Sequence, residues 1–212
     1  MATYGGAVDL ILTELGRGDT SITAVIEREV LKSIESYSST RLWFNEARSS
    51  FTASSTIYYP LETIFPATAS FMPGFIEIDQ VSTTVSGGVI EILRESHAEL
   101  HRVDISGFTG YPTRWALFAE QMRLYPKPAS TYQVDVLGVR RLATLSASTD
   151  SNAWTNAGLD LISARAEKVI SARKFKDFEA AQVYQVAEDQ ALARLISRSE
   201  SYGMTGRVSP GY

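Results

Sequence analysis

The chain contains only two histidines, His97 and His101, and they stand four residues apart with Glu95 and Glu99 beside them. On a helix, residues at this spacing share a face, so the two imidazoles would be placed to bind one metal ion. The segment lacks the His-Glu-x-x-His order that puts a general base next to a metal, and the sequence identifies no third ligand. Two histidines on a polar helix are more often ordinary surface residues. We therefore predict no metal site and keep a metal-dependent enzyme as an alternative.

Other kinds of catalytic chemistry lack their motifs in this chain. Cysteine is absent, which removes thiolate nucleophiles, thiolate metal ligands and disulfide bonds together, and is typical of proteins assembled in a reducing cytosol. No Gly-x-Ser-x-Gly motif presents a serine nucleophile, and no glycine-rich loop with a lysine is available to bind phosphate. We therefore predict that the protein is not an enzyme, with no catalytic residue and no cofactor.

Composition and charge exclude further classes. The 212 residues are 44% hydrophobic and 21% charged, which is ordinary for a globular protein. The net charge of −4 and the lack of a basic cluster argue against a protein that grips nucleic acid, because neutralising phosphates needs grouped Lys and Arg. The apolar run Trp115–Ala119 is too short to span a bilayer, and the N-terminus lacks the basic start of a secretory signal. We predict no membrane association.

Apolar residues recur at helical spacing near both ends of the chain. The first predicted helix ends at the glycines of the segment 16–18 and is followed by a second helix that ends between Ser36 and Thr40. After Asp150 the helical spacing returns, and the last helix is predicted to end near Ser201. The apolar positions are Val8, Ile11, Leu12 and Leu15, then Ile22, Val25, Ile26, Val30 and Ile34, then Trp154, Leu161, Ile162, Val169 and Ile170, and finally Phe178, Tyr184, Ala187, Ala191 and Leu195.

Between these ends, from about Leu42 to Leu142, short runs of aromatic and β-branched residues predict a β-rich region. The turn Ser86-Gly87-Gly88 joins two of these runs as a hairpin, and Ser96–Val103 is predicted to be a short helix capped by Ser96. The predicted strands are Leu42–Asn45, Ser50–Ala53, Ile57–Pro60, Gly74–Val85, Val89–Glu95, Trp115–Ala119, Met122–Tyr125 and Tyr132–Val139.

Together these patterns predict an α+β fold. A helical bundle formed by the N- and C-terminal helices (residues 1–40 and 146–201) carries an inserted antiparallel β region (residues 41–145), and residues 202–212 form an extended C-terminal arm. The terminal helices are expected to bury their apolar stripes on one another, with the β region as an excursion from the bundle.

Large aromatic side chains offer a third class of function, a carbohydrate- or peptide-binding module with an exposed cleft around Trp115. We favour core packing, because each of these aromatics falls inside a predicted strand or helix and aromatic side chains dominate buried area. The residues concerned are Trp43, Phe44, Trp115, Tyr125 and Trp154.

One segment of the chain carries a family resemblance. Arg41-Leu42-Trp43-Phe44-Asn45-Glu46 is followed by Phe51-Thr52 and then by Tyr58-Tyr59-Pro60-Leu61, and a second match spans Leu145-Ser146, Asp150 and Trp154. In these motifs and in its layout, the sequence resembles the head-to-tail adaptor (connector, or tail accessory) proteins of tailed bacteriophages.

The resemblance implies a structural role in the neck of the virion, after assembly in the host cytoplasm. Such proteins form a twelve-fold homo-oligomeric ring below the portal protein, extend the channel through which viral DNA passes without sequence-specific binding, and provide a platform for the tail nozzle or other tail proteins. Another neck or tail-completion protein with a similar helical core is the closest alternative.

The resemblance also implies two groups of functional residues. In the C-terminal arm, which docks on the portal in this family, the side chains most able to anchor the arm are Tyr202, Met204, Arg207, Val208 and Tyr212. At the junction between bundle and β region, the residues expected to hold the two parts together are Arg41, Trp43, Phe44, Asn45 and Glu46.

Overall fold

A computed structural model of the protein describes residues 2–16, 20–61, 75–104 and 107–204. The fold is α+β. The helices are α1 (Tyr4–Glu14), α2 (Thr23–Tyr37), α3 (His97–Val103), α4 (Ala153–Asn156), α5 (Leu159–Ile170) and α6 (Phe178–Met204), with a 3₁₀ turn at Thr20–Ile22 and a π-helical turn at Ser171–Phe175. The strands are β1 (Glu46–Ala53), β2 (Tyr58–Pro60), β3 (Phe75–Val85), β4 (Gly88–Arg94), β5 (Thr109–Gly110), β6 (Arg114–Phe118), β7 (Gln121–Tyr125), β8 (Lys127–Pro128) and β9 (Tyr132–Arg140).

The chain divides into two compact units. One, here called the helical unit, comprises Met1–Phe44 and Leu142–Tyr212, and the other, the β unit, comprises Asn45–Arg141. The divisions fall at 44/45 and 141/142, whereas the sequence patterns place them at 40/41 and 145/146. Among the described residues, no helix is both long enough and apolar enough to cross a membrane.

The core of the helical unit is built from the apolar stripes that the sequence predicts. Val8 and Ile11 of α1, Ile26 and Val30 of α2 and Leu161 of α5 are all buried in one cluster. Stripes at this spacing lie on one side of a helix, so packing helix on helix removes them from water together. Burying each such side chain contributes roughly 1.5–3 kcal/mol of transfer free energy.

The region of Trp154 differs from the prediction, because it forms two helices instead of one. Asn152 caps α4 by accepting hydrogen bonds from the backbone N–H groups of Trp154 (2.8 Å) and Thr155 (3.4 Å). At Gly158, where α5 begins, an added Cβ would lie 2.8 Å from Cε3 of Trp154. The chain therefore turns tightly around the buried indole, and only glycine fits at this close approach.

The β unit contains a seven-stranded sheet in the order β1-β9-β3-β4-β6-β7-β2, and β5 and β8 form a separate pair. Seven of the eight predicted strands are confirmed to within a few residues. One face of the sheet is apolar and buries a second cluster, whose members include Val81, Ile92, Trp115, Leu124 and Val136. Alternation of side chains along each strand places these residues on the same side of the sheet.

The eighth predicted strand, Leu42–Asn45, was wrong. These residues lie in a turn before β1, and Leu42 and Phe44 are buried in the core of the helical unit. Four residues with two buried aromatic or aliphatic side chains fit a strand and a turn equally well, so the local pattern cannot separate them.

The prediction of a purely antiparallel β region was also wrong, because the sheet is mixed. β4 pairs with β6 in parallel through Leu93 and Arg94, and β5 pairs with β8 in parallel. Parallel neighbours need a crossover connection, and the segment between β4 and β6 supplies one that includes α3. The predicted helix at Ser96–Val103 is confirmed, with the Ser96 hydroxyl accepting from the Glu99 backbone N–H at 3.1 Å.

The predicted hairpin is confirmed. Val85 pairs with Gly88, so only Ser86 and Gly87 form the turn, with φ of 51° and 81°. Positive φ at both positions is the signature of a tight turn whose twist matches that of the strands. The turn fixes the register of β3 against β4.

At the C-terminal end, α6 continues to Met204, so the first three residues of the predicted extended arm, from Tyr202 to Met204, are helical. Glycine at 203 marks a weak point in helix propensity, and it does not by itself stop the helix. The remaining arm residues, including Arg207, Val208 and Tyr212, lie outside the described residues.

Candidate functional site

Three side chains stack at the C-terminal end of α6. The rings of Trp43 and Tyr202 are stacked with centroids 5.2 Å apart, and the guanidinium of Arg198 lies 4.9 Å from the Trp43 ring and 5.8 Å from the Tyr202 ring. Arginine over an aromatic face gains both cation–π attraction and apolar contact. We call Trp43, Arg198 and Tyr202 the aromatic clamp.

The clamp is tied to the core through Phe44. The Phe44 ring meets the Trp43 ring edge-on, with centroids 5.4 Å apart, and the Trp154 ring edge-on, with centroids 5.0 Å apart. The Ser199 hydroxyl accepts a hydrogen bond from the Trp43 backbone N–H at 3.1 Å. The clamp is therefore packed against the core on its inner side, while Tyr202 on its outer side is 55% exposed. The Trp43 indole N–H is buried and has no hydrogen-bond partner among the described residues.

The predicted junction residues divide between the two units. Trp43 and Phe44 belong to the helical unit, together with the exposed Arg41, and both aromatics pack within that unit. Asn45 is buried and Glu46 is exposed, and both belong to the β unit. The structure thus brings Trp43 together with Tyr202, one of the predicted portal-binding residues, and no local pattern in the sequence indicates that contact.

A shallow hollow of about 160 Å³ lies beside the clamp between α5 and α6. Asp160, Arg194 and Arg198 contribute charged groups to its lining, and Leu161 and Leu195 contribute apolar surface. The last three turns of α6 therefore offer arginine side chains, an exposed tyrosine and an apolar hollow in one place.

A buried carboxylate organises the polar interior of the helical unit. Glu188 on α6 is 2% exposed and accepts hydrogen bonds from the Tyr37 hydroxyl, from Lys168 and from Arg165, the last at 2.9 Å. Burial alone would raise the pKa of Glu188, but these hydrogen bonds outweigh it and hold the pKa below its usual value. Burial, and then the bond to Glu188, raises the pKa of Tyr37 to about 12.

A second buried carboxyl behaves in the opposite way. Glu167 on α5 is 2% exposed, and burial followed by interaction with Glu14 raises its pKa to about 8. Within the described ranges, the Oε1 atom of Glu167 is buried and accepts no hydrogen bond. A protonated carboxyl can donate to Glu14 instead, which removes the conflict between the two acids.

Sequence reasoning missed both buried carboxyls. The available signal was a glutamate inside an apolar helical stripe: Glu188 occurs three residues before Ala191, and Glu167 is three residues before Ile170. A charge at such a position needs a partner from another helix, and sequence spacing does not reveal that partner.

The histidine pair occupies the predicted positions on one face of α3, with ring centroids 6.3 Å apart. His97 also stacks on Phe118 at 4.2 Å, and its Nε2 atom lies 3.2 Å from the Tyr58 hydroxyl. Desolvation, followed by the charges of Arg123 and His101, lowers the pKa of His97. Within the described residues, no three His, Cys, Asp or Glu side chains are grouped so that they could hold a metal ion.

A buried arginine lies beside this pair. Arg123 is 1% exposed and donates to Asp104 at 2.7 Å, and its guanidinium lies 5.6 Å from the Tyr58 ring. Together the two histidines, Phe118, Tyr58 and Arg123 form a packed cluster in which ring stacking occupies the faces of His97.

The chain was compared with known protein families. The family model described as SU10 adaptor protein matches residues 2–210. The chain belongs to the SU10 adaptor protein family. This assignment confirms the resemblance to phage head-to-tail adaptors. No curated protein matches the chain at a significant level.

Family membership establishes a coarse role for this adaptor. It is a phage structural protein, a component of the virion, and it associates with other capsid or tail proteins. The alternative of a binding cleft around an exposed Trp115 does not agree with the structure, because Trp115 is only 1% exposed and lies in the core of the β unit. Surfaces that contact partner proteins are therefore the relevant sites, and the aromatic clamp is the best-defined candidate for one in the described part of the helical unit.

Proposed function

We propose that this adaptor forms a twelve-fold ring below the portal protein, extends the DNA channel and carries the tail nozzle or other tail proteins. The SU10 adaptor match over residues 2–210 carries this proposal, since it covers nearly the whole chain. The location that follows is the neck of the virion, reached after assembly in the host cytoplasm.

The chemistry of the surface supports passage of DNA without binding. The chain has a net charge of −4, and its 20 basic residues are not grouped into a patch in the sequence. Like charge between protein and phosphate prevents adhesion, so duplex DNA would slide past such a surface instead of being held.

We further propose that the C-terminal arm attaches the adaptor to the portal. Tyr202 starts this arm on the exposed side of the aromatic clamp, where Trp43 and Arg198 hold its ring. Met204, Arg207, Val208 and Tyr212 follow within ten residues and provide apolar, aromatic and cationic anchors of the kind that dominate binding energy.

The experiment mixes the adaptor with its portal ring and examines the product by negative-stain electron microscopy. We expect a ring attached below the portal. Deleting residues 205–212 leaves α6 complete, so the truncated chain should keep its circular dichroism spectrum and lose attachment. Attachment that is unchanged by the deletion would refute the role of the arm.

The same images distinguish the proposed adaptor from the main alternative. A different neck or tail-completion protein would fail to bind the portal directly and would attach only after another tail component is present. The metal-dependent alternative predicts that zinc raises the melting temperature and that His97→Ala abolishes this effect, so thermal unfolding with and without zinc tests it.

A further inference from the structure

The hairpin strand β4 has an open backbone edge. Because Val85 and Gly88 close the hairpin, antiparallel alternation directs the N–H and C=O groups of Val89 and Glu91 away from β3. Leu93 is next in this series, and its N–H does point outward, donating to the Thr113 carbonyl at 2.9 Å. Among the described residues of β4, only Leu93 and Arg94 pair with β6. In the described part of the chain, no strand covers Val89 and Glu91.

The exposed side chains on this edge are unusual for a strand within a sheet. Val89 is 73% exposed, and Glu91 is also exposed. Unpaired backbone groups beside an exposed apolar side chain form a template for another strand, and natural proteins normally protect such an edge.

Within the described ranges, strand β1 provides a second open edge, at the end of the sheet. The Arg140 N–H donates to the Asn45 carbonyl at 2.8 Å, which sets the alternation along β1 and β9. It follows that Arg48, Ser50 and Thr52 direct their N–H and C=O groups away from β9. All three side chains are exposed, and β1 contains no proline.

We propose that the β1 edge of one copy of this chain adds to the β4 edge of the next copy, so that a continuous sheet links neighbouring subunits. This inference deepens the ring proposed above and rests on it. A contact between two different edges is heterologous, and repeated heterologous contacts close into a ring when the rotation between copies permits.

Strand direction supports the pairing. β1 is antiparallel to β9, β9 to β3, and β3 to β4, so β1 and β4 run in opposite directions within one sheet. A neighbour in nearly the same orientation, as in a ring of many subunits, therefore presents its β1 antiparallel to β4. On both strands, the residues with outward backbone groups alternate with residues whose side chains face the buried cluster. Their own side chains therefore lie on the other face of the sheet, and this is the same face for both strands.

Charge selects the register. Arg48 opposite Glu91 and Ser50 opposite Val89 give two hydrogen-bonded residue pairs, with opposite charges facing each other. Sliding by two residues one way puts Glu46 opposite Glu91. Sliding the other way puts Ser50 opposite Glu91 and moves Arg48 away from it to Leu93, so the opposite charges no longer face each other. Arg48 is 67% exposed while bonded to Asp135, so its guanidinium retains free surface for Glu91.

The absence of cysteine provides a clean test by crosslinking. The double variant Ser50→Cys, Val89→Cys is assembled on the portal ring and treated with a short bismaleimide. We expect covalent oligomers on a denaturing gel, up to the closed ring. Within one chain, β9 and β3 separate the two cysteines by three strand spacings, about 14 Å, so efficient short crosslinks report contact between copies.

Two controls define the outcome. Either cysteine alone should give no crosslinked oligomer, and a dimer from one alone would overturn the proposal in favour of a symmetric contact. The pair Ser50→Cys, Glu77→Cys moves the second thiol from β4 to an exposed position on β3 and should also give no crosslinked oligomer.

Microscopy of the same samples separates the two proposals. A ring that forms on the portal without crosslinks in the Ser50→Cys, Val89→Cys variant would overturn the edge pairing and leave the proposed function intact. If unmodified protein forms no ring, both fail.

A charge reversal tests the register. Glu91→Arg would place two arginines opposite each other and should lower the yield of rings about two- to fivefold at limiting concentration. Glu77→Arg is the matched control and should leave the yield unchanged. Equal yields for both variants would overturn the register.

Discussion

At the scale of single residues, Glu188 is the centre of a buried ionic network in the helical unit. Its carboxylate is the common acceptor for a hydroxyl, an ammonium and a guanidinium that come from α2 and α5. Each donor is itself only partly exposed, so removing the acceptor leaves poorly solvated charges behind.

We expect Glu188→Gln to lower the free energy of unfolding at pH 7 by about 2–3 kcal/mol, since it removes one member of a buried ionic network. Urea unfolding followed by circular dichroism measures this loss. Glu200→Gln, an exposed position on the same helix, should change the value by less than about 0.5 kcal/mol.

The pH dependence gives an independent check on Glu188. Its folded-state pKa is lowered, so its stabilising contribution is present above the usual carboxyl pKa of 4.5 and is lost as the pH falls further. The difference between wild type and Glu188→Gln should therefore shrink in acid. A difference that persists at low pH would contradict this account.

The aromatic residues show what sequence reasoning captures at this scale. Core packing was the favoured interpretation, and Phe44, Trp115 and Trp154 are indeed buried. Trp43 is only partly buried and stacks on Tyr202, which is 159 positions away in the sequence. A composition argument predicts that an aromatic side chain is covered, but only the tertiary fold determines which distant residue covers it.

At the scale of elements, helices α1, α5 and α6 meet around Glu167. Burial and Glu14 raise its pKa to about 8, and the Tyr184 pKa is raised by burial and then by Glu167, Glu14 and Asp177. Deprotonating Glu167 would place a buried negative charge beside the exposed carboxylate of Glu14, so the neutral form of Glu167 is favoured.

From the raised pKa of Glu167 beside Glu14, we predict that the free energy of unfolding falls with rising pH. The unfolded chain loses the Glu167 proton near pH 4.5 and the folded chain near pH 8, so the free energy of unfolding decreases between these values. Glu167→Gln should flatten that decrease and raise the melting temperature above pH 8 by about 2–4 °C for each kcal/mol regained.

Differential scanning calorimetry at a series of pH values from 5 to 9 measures this slope, which is the fall of the melting temperature with rising pH. Glu35→Gln removes an exposed carboxyl from α2 and serves as the control, with a slope equal to that of wild type. A Glu167→Gln slope that matches wild type would show that the carboxyl is ionised in the folded state.

The sheet shows which features of its elements could be predicted from the sequence and which could not. Alternating apolar residues predicted seven strands, and the Ser-Gly-Gly turn predicted the β3–β4 hairpin, because both signals are local. The parallel pairing of β4 with β6 depends on a crossover through α3, and alternation is the same for parallel and antiparallel neighbours. The strand order was therefore not predictable from the pattern.

At the scale of the whole molecule, the division into a helical unit and a β unit is the main feature. Each unit has its own hydrophobic cluster, and the helical unit is assembled from both ends of the chain. We infer that each unit unfolds as a cooperative body of its own, since a separate core is the physical basis of a separate transition.

Tryptophan fluorescence can test this inference, because Trp43 and Trp154 report on the helical unit and Trp115 reports on the β unit. We expect Glu188→Gln to lower the urea midpoint seen by Trp154 in a Trp43→Phe, Trp115→Phe background. In a Trp43→Phe, Trp154→Phe background, the midpoint seen by Trp115 should not move. Equal shifts in both backgrounds would indicate one cooperative unit.

The sequence by itself determined the fold class, most of the helices and strands, the hairpin and the family, because periodicity, turn chemistry and short motifs are properties of neighbouring residues. The tertiary structure alone decided the partners of Glu188 and Glu167, the clamp between Trp43 and Tyr202, and the mixed strand order with its two open edges. These features join residues that are far apart in the chain. Their energies depend on burial and on the direction of backbone groups, which arise only when the chain is folded.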